Sequence, residues 1–189
     1  MRKKIVAGNW KMNKTMQEVE DFAKEFSALA TKVNLSKSDV IIFAPGIYLS
    51  TLSNLFSNKG VLIGAQDVSE HEKGAYTGET SAIMLKSAGI KYCIIGHSER
   101  RKYHNETHDQ LREKLVRLSE NNITPVFCCG ETLEERNNGN HFNVVRDQIV
   151  DSVLSLEKKV YNNIIIAYEP VWAIGTGVNA SPDEAQEMH

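Results

Sequence analysis

Six short apolar runs recur along the chain, at residues 4–8, 40–44, 61–65, 92–96, 124–129 and 164–168. Each is continuous rather than alternating, which is how strands covered on both faces read, as in a parallel sheet. Between them lie segments with helical spacing. Thr15 followed by Glu18 forms a capping box, and Val19, Phe22, Phe26 and Leu29 then fall on one face. Thr107 with Gln110 opens a second helix, striped by Leu111, Leu115 and Leu118. Ser181-Pro182-Asp183-Glu184 opens a third, with proline at the first helical position. Residues 81–87 read as a helix stopped at Gly89, and residues 142–156 carry Val145, Ile149, Val153 and Leu156 at helical intervals.

The order is strand then helix, repeated: six parallel strands, five helices and the opening of a sixth. That order permits a doubly wound open sheet or a (βα)8 barrel. The first strand runs into Gly8-Asn9-Trp10-Lys11, with no G-x-G-x-x-G and no phosphate loop. No linker or low-complexity stretch divides the chain, so residues 1–189 read as one domain.

Composition narrows the function classes. With 189 residues, 41% hydrophobic and 24% charged, the chain can build one sizeable core. A net charge of -2 without a basic patch argues against a nucleic-acid partner. No apolar run approaches the roughly 20 residues of a membrane helix. The basic start, Met1-Arg2-Lys3-Lys4, precedes an apolar stretch too short for a signal core. Cys93, Cys128 and Cys129 do not form a disulfide framework, which fits a reducing, cytoplasmic setting.

Active sites of βα folds gather at the carboxyl ends of the strands. Asn9 and Lys11 follow the first run, His97-Ser98-Glu99-Arg100-Arg101 the fourth, and Glu169 the sixth. Taken singly, each has a bland reading: a surface lysine, a structural histidine, a strand-end carboxylate. Together they place a cation, an imidazole and a carboxylate at one mouth. A carboxylate backed by an apolar strand and shielded from water suits proton abstraction. At a helix N-terminus the dipole opposes a second positive charge, so His97 would act as a neutral imidazole. Asn9 and Lys11, two apart on an extended segment, would point the same way, and Lys11 would stabilise developing negative charge. After Glu169 come Pro170, Val171, Trp172, Ala173, Ile174, Gly175, Thr176 and Gly177, an apolar segment ending in two glycines. It reads as a lid that expels water and brings the Gly175 amide to a phosphate. His104 and His108 are four apart but overlap a helix start, so no metal site is expected there. Cys128-Cys129 reads as strand packing.

Asn9-Trp10-Lys11-Met12-Asn13, Gly96-His97-Ser98-Glu99-Arg100-Arg101 and residues 167–177 resemble the hallmark segments of the triosephosphate isomerase family, in order and spacing. Gly64-Ala65-Gln66-Asp67 and Gly74-Ala75-Tyr76-Thr77-Gly78-Glu79 add to the likeness. The resemblance implies a (βα)8 barrel interconverting dihydroxyacetone phosphate and glyceraldehyde 3-phosphate, with no cofactor or metal. It implies Glu169 as base, His97 as electrophile and Lys11 as clamp, roles long established for the family. Asn9 and Gly175 would touch the substrate, and Glu99 and Ser98 would support the site. A homodimer is implied through Met12, Thr77 and the loop at residues 74–79. A complete barrel takes about 250 residues. The last two βα units, and the phosphate loops they carry in the family, are therefore expected to lie outside these 189 residues, leaving an open edge on the sixth strand. The alternative reading is a catalytically impaired fragment or a non-catalytic assembly module.

Overall fold

The computed structural model describes residues 4–30 and 38–189. The basic start at Met1, Arg2 and Lys3 lies outside them. Strands β1 (Lys4–Asn9), β2 (Ser38–Ala44), β3 (Val61–Ala65), β4 (Tyr92–Ile95), β5 (Thr124–Cys129) and β6 (Ile165–Tyr168) form one sheet in chain order. Every neighbouring pair is parallel. A doubly wound sheet reverses its strand order at a switch point, whereas an order that never reverses is that of a barrel wall. The fold is thus part of a (βα)8 barrel.

Side chains alternate across this wall. Ile42, Ala44, Ile63, Ala65, Cys93, Ile95, Phe127 and Cys129 face the helices and join the larger core cluster. Ile41, Phe43, Ile94 and Cys128 form a second, smaller cluster on the opposite face. Two apolar faces explain why the strands read as unbroken apolar runs.

Helices α1 (Met16–Ala30), α2 (Leu49–Leu55), α3 (Ala82–Ser87), α4 (Ser98–Tyr103), α5 (His108–Glu120), α6 (Leu133–Asn137), α7 (His141–Ile149), α8 (Lys158–Tyr161) and α9 (Pro182–Met188) fill the connections. The expected capping boxes form at Thr107 and Ser181, and Thr15 trades hydrogen bonds with Glu18 in the same way. Leu111, Leu115 and Leu118 are fully buried. In α1, Val19 and Ala23 are buried and Phe22 and Phe26 pack beside them, but Leu29 is 60% exposed. Leu29 stands about 80° round the helix from Val19, at the rim of the apolar stripe. The segment read as one helix over 142–156 is α7 followed by a π-helical turn, Val150–Leu154. Helix α2 gave no start signal because its N-cap is Tyr48, which makes no side-chain cap bond. No helix among the described residues is long and apolar enough to cross a membrane.

Among the described residues, both outer strands have a single partner. β6 was expected to show an open edge; β1 shows one too, with Val6 62% exposed and every residue of the strand in the exposed class.

One set of charges is buried behind the ends of β3 and β4. Lys114 Nζ reaches Asp67 Oδ1 at 2.7 Å and also contacts Glu106 Oε1. Arg100 bonds Asp67 Oδ2 at 2.7 Å, while Glu106 Oε2 accepts from the Gly96 N–H at 3.2 Å. Burial opposes charge on Lys114, but the Asp67 and Glu106 carboxylates outweigh it and hold the ammonium above its ordinary range. Removing one partner of such a set leaves the others buried and uncompensated. Lys114→Met is therefore expected to destabilise the fold by about 3–5 kcal/mol in urea titrations; a loss below about 1 kcal/mol would contradict this assignment.

The thiols are buried as well. Burial, then the nearby Glu169 charge, pushes Cys128 well up, and burial pushes Cys129 up to about 11. Cys93 is raised for the same first reason. All three should resist alkylation at neutral pH until the chain unfolds, which mass spectrometry across a urea series would check.

Candidate active site

The ends of β1, β3, β4, β5 and β6 assemble the site. After β1, Trp10 still donates its N–H to Phe43 O at 2.9 Å, but Lys11 then turns into the left-handed region, with φ 53. Asn9 and Lys11 therefore do not project in parallel from an extended segment, as their spacing suggested. The Lys11 N–H donates to Asn9 Oδ1 at 2.9 Å, a local bond that offsets a conformation costing about 1 kcal/mol or more. The turn sends the Lys11 side chain across to Glu99, Nζ to Oε1 at 2.6 Å. Both partners are more than a third exposed, at 37% and 43%. An exposed pair is worth at most about 1 kcal/mol, so the ammonium can exchange Glu99 for an incoming anion at little cost.

Gln66, the first residue after β3, holds this turn in place. Its Nε2 donates to Asn9 Oδ1, Lys11 O and Phe43 O at 3.0, 3.0 and 3.1 Å. The sequence carried a signal for it, since it occupies the same strand-end position as Asn9 and Glu169.

Gly96 ends β4 with φ 68, in the left-handed region. Its carbonyl accepts from Arg101 Nε at 2.8 Å, and Arg101 Nη2 also donates to Cys128 O at 3.0 Å, tying the ends of β4 and β5 together. His97 follows as the N-cap of α4 and is 7% exposed. The Glu99 N–H donates to His97 Nδ1 at 3.2 Å. A ring nitrogen that accepts carries no hydrogen, so the neutral imidazole has its proton on Nε2. Nε2 lies 3.0 Å from Glu169 Oε1.

Glu169 extends the β5–β6 ladder, its N–H donating to Cys129 O at 2.8 Å. Its other carboxylate oxygen, Oε2, accepts from the Ser98 N–H at 3.1 Å. The carboxylate is thus parked between an imidazole and a backbone amide, 16% exposed.

Directly beneath the segment that follows, Glu131 is completely buried. Its Oε1 accepts from Tyr168 OH at 3.0 Å, Trp172 Nε1 at 2.9 Å and Arg136 Nη1 at 3.2 Å. Burial, then the bond to Glu131, pushes the Tyr168 phenol well up and keeps it a donor. Sequence reading passed over Glu131 because it is one charge in a polar stretch, although it too follows a strand. Trp172 lies in a short 3-10 turn, Val171–Ala173. Beyond it, Gly175 and Gly177 are exposed with φ 70 and 79, and open space surrounds the Gly175 Cα.

A cleft of about 840 Å³ is lined by Asn9, Lys11, Gln66, His97 and Glu99, together with Met12, Gly78 and Glu79. The structure brings Asn9, Lys11, His97, Ser98, Glu99 and Glu169 into one bonded group. Pro170, Val171, Trp172, Ala173, Ile174, Gly175, Thr176 and Gly177 follow it in the chain, with Trp172 docked on Glu131 and open space where a Gly175 side chain would stand. Glu169 does not line the cleft itself but joins it through His97, so the bonded group holds a carboxylate, an N–H donor and a movable cation, the set needed to take a proton from carbon and stabilise the resulting oxyanion.

A family model described as triosephosphate isomerase matches residues 4–189. The triosephosphate isomerases of Cytophaga hutchinsonii and Porphyromonas gingivalis are each 50% identical over 189 residues, covering 100% of this chain and 75% of the relative. That of Psychromonas ingrahamii is 44% identical with the same coverage. The chain thus spans about three quarters of the length of these relatives. A likeness of this depth along the whole described wall, at a mouth with matching chemistry, leaves one kinship: the chain belongs to the triosephosphate isomerase family.

Proposed function

We propose that the chain acts as an aldose–ketose isomerase, interconverting dihydroxyacetone phosphate and glyceraldehyde 3-phosphate through an enediolate. Glu169 takes the proton from the carbon beside the carbonyl. The carbonyl oxygen gains negative charge as it does so, and the His97 Nε2–H and the Lys11 ammonium stabilise that charge. Proton exchange through His97 moves the negative charge to the neighbouring oxygen, and Glu169 returns its proton to the second carbon. This division of labour is the one for which the family is known. Asn9 and Gln66 hold Lys11 in place, and the Glu99 and Ser98 amides orient the imidazole and the carboxylate.

The observation that carries this reading is the pairing of His97 Nε2 with Glu169 Oε1 at 3.0 Å, with Nδ1 already taken by a backbone N–H. That tautomer aims a hydrogen, not a lone pair, at the place where an oxyanion forms. To work, Glu169 must let go of Ser98 and His97 and swing to the substrate carbon. Residues 170–177 act as the lid whose closure accompanies that swing, excludes water from the enediolate and brings the Gly175 N–H to the phosphate. The chemistry asks for no metal or cofactor.

The test is a coupled assay of triose phosphate interconversion on the protein at the length the cell makes, with Glu169→Asp as comparison. Shortening the side chain by one methylene displaces the base by about 1 Å and is expected to lower kcat by about 10²-fold with KM little changed. Unaltered turnover in that variant would remove Glu169 from the chemistry.

The protein is further proposed to be a cytoplasmic homodimer. Met12 is 95% exposed, and residues 74–79, with Thr77 at the tip, form an exposed loop at the edge of the same cleft. An apolar side chain that open to water is stabilised by a partner surface. Thr77→Arg combined with Met12→Asp should convert a dimer to monomer in light scattering, whereas an unchanged mass would place the interface elsewhere.

A further inference from the structure

The turn between β5 and α6 lies between the proposed base and the lid. Cys129 O accepts the Glu169 N–H at 2.8 Å, and Glu131 Oε1 accepts the Trp172 indole at 2.9 Å. Gly130 joins the two. Its Cα lies so close to the Glu169 backbone that an added Cβ would come within 1.7 Å of the Glu169 carbonyl oxygen. Gly130 therefore sets how near β6 can approach at the residue that carries the base.

This glycine is held from the helical layer. Gln148, near the end of α7, accepts the Gly130 N–H on Oε1 at 3.0 Å and donates from Nε2 to Gly130 O at 2.9 Å. The two bonds satisfy both polar groups of one residue in the manner of a strand partner, and they are consistent with only one orientation of the carboxamide. Of the other side chains of similar length, only a protonated glutamic acid presents a donor and an acceptor side by side on one terminal group.

We propose that Gln148 is a positioning residue for the isomerisation. By gripping Gly130 it fixes the β5–α6 turn, and the turn in turn fixes the backbone of Glu169 and the anchor of the lid tryptophan. This inference rests on Glu169 being the base for its catalytic part, but not for its structural part. Gln148 places both of its hydrogen bonds on Gly130 and acts on Glu169 and Trp172 through that turn.

The two tryptophans, Trp10 and Trp172, provide separate reporters. Trp10 packs edge-on against Phe22 at the opposite side of the sheet order, with ring centroids 5.1 Å apart. With fluorotryptophan incorporated, 19F NMR of Gln148→Leu should show the Trp172 resonance shifted or broadened and the Trp10 resonance in place. In the same variant kcat should fall about tenfold with KM within about twofold, as expected for a base displaced by a fraction of an ångström. In Gln148→Glu the new carboxylate repels the Gly130 carbonyl at high pH. Once protonated it gives and takes like the amide, so the Trp172 resonance should return toward the parent position as pH falls.

Unchanged Trp172 and kcat in Gln148→Leu would overturn the proposal. So would equal perturbation of Trp10 and Trp172, which would mean general loosening, or a Gln148→Glu spectrum indifferent to pH. If Glu169→Gln retains full turnover, the base assignment falls instead, and the Trp172 resonance alone then decides the grip on Gly130.

Discussion

Strands that all run the same way must deliver all their carboxyl ends to the same rim, and almost everything in this molecule follows from that ladder. The rim is where backbone hydrogen bonds run out and side chains take over. Asn9, Gln66, His97, Glu131 and Glu169 each come within two residues of a strand end, and they bond one another or groups nearby on the rim: Gln66 reaches Asn9, His97 reaches Glu169, and Glu131 reaches Tyr168. Chemistry at the rim is thus assembled from residues far apart in sequence: the Lys11–Glu99 contact spans 88 positions and the Ser98–Glu169 contact 71. The apolar faces of the wall make the positions rigid. The helices make them permanent, by closing the outer face over Leu111, Leu115 and Leu118.

Much of this was legible from the chain itself, for physical reasons. Strands apolar on both sides leave a continuous signature, and capping boxes are local exchanges between Thr15 and Glu18, Thr107 and Gln110, or Ser181 and Glu184, which need no tertiary context. The same logic made Lys11, His97 and Glu169 stand out. What stayed hidden depended on three dimensions. Lys11 leaves the extended conformation because Asn9 and Gln66 bind its backbone, and no local pattern announces φ 53. Leu29 belongs to the helical stripe but lies at its rim, 60% exposed among the described residues. Gln66, Glu131 and Gln148 serve backbone groups or other side chains rather than a substrate, so an inventory of reactive residues passes them by. Gln66 and Glu131 nonetheless follow β3 and β5 at the same rim as the reactive residues. Only the fold connects Gln148 to Gly130.

The site's electrostatics divide into two kinds. Lys114 and Glu106 are buried, Asp67 and Arg100 half-buried, and the four are mutually compensated, so their charges act as fixed scaffold behind the Gly96–His97 junction. Lys11 and Glu99 are wet and loosely paired, so theirs can be redistributed. A proton-transfer site needs both: charges that do not move, to steady the backbone that carries the imidazole, and a charge that does, to meet an oxygen as it becomes negative.

Arg136 adds a last consequence. It donates to Glu131, which carries the Trp172 indole, and its other nitrogen reaches Glu187 on α9 at 3.0 Å. The Glu131 anchor under residues 170–177 and the helix that follows them are therefore both fastened to the same short helix, α6. A loop whose two ends are already fixed pays only about 0.6 kcal/mol of closure entropy for each doubling of its length. Insertions or deletions at residues 175–180 should thus cost the fold little, because the segment is held on both sides.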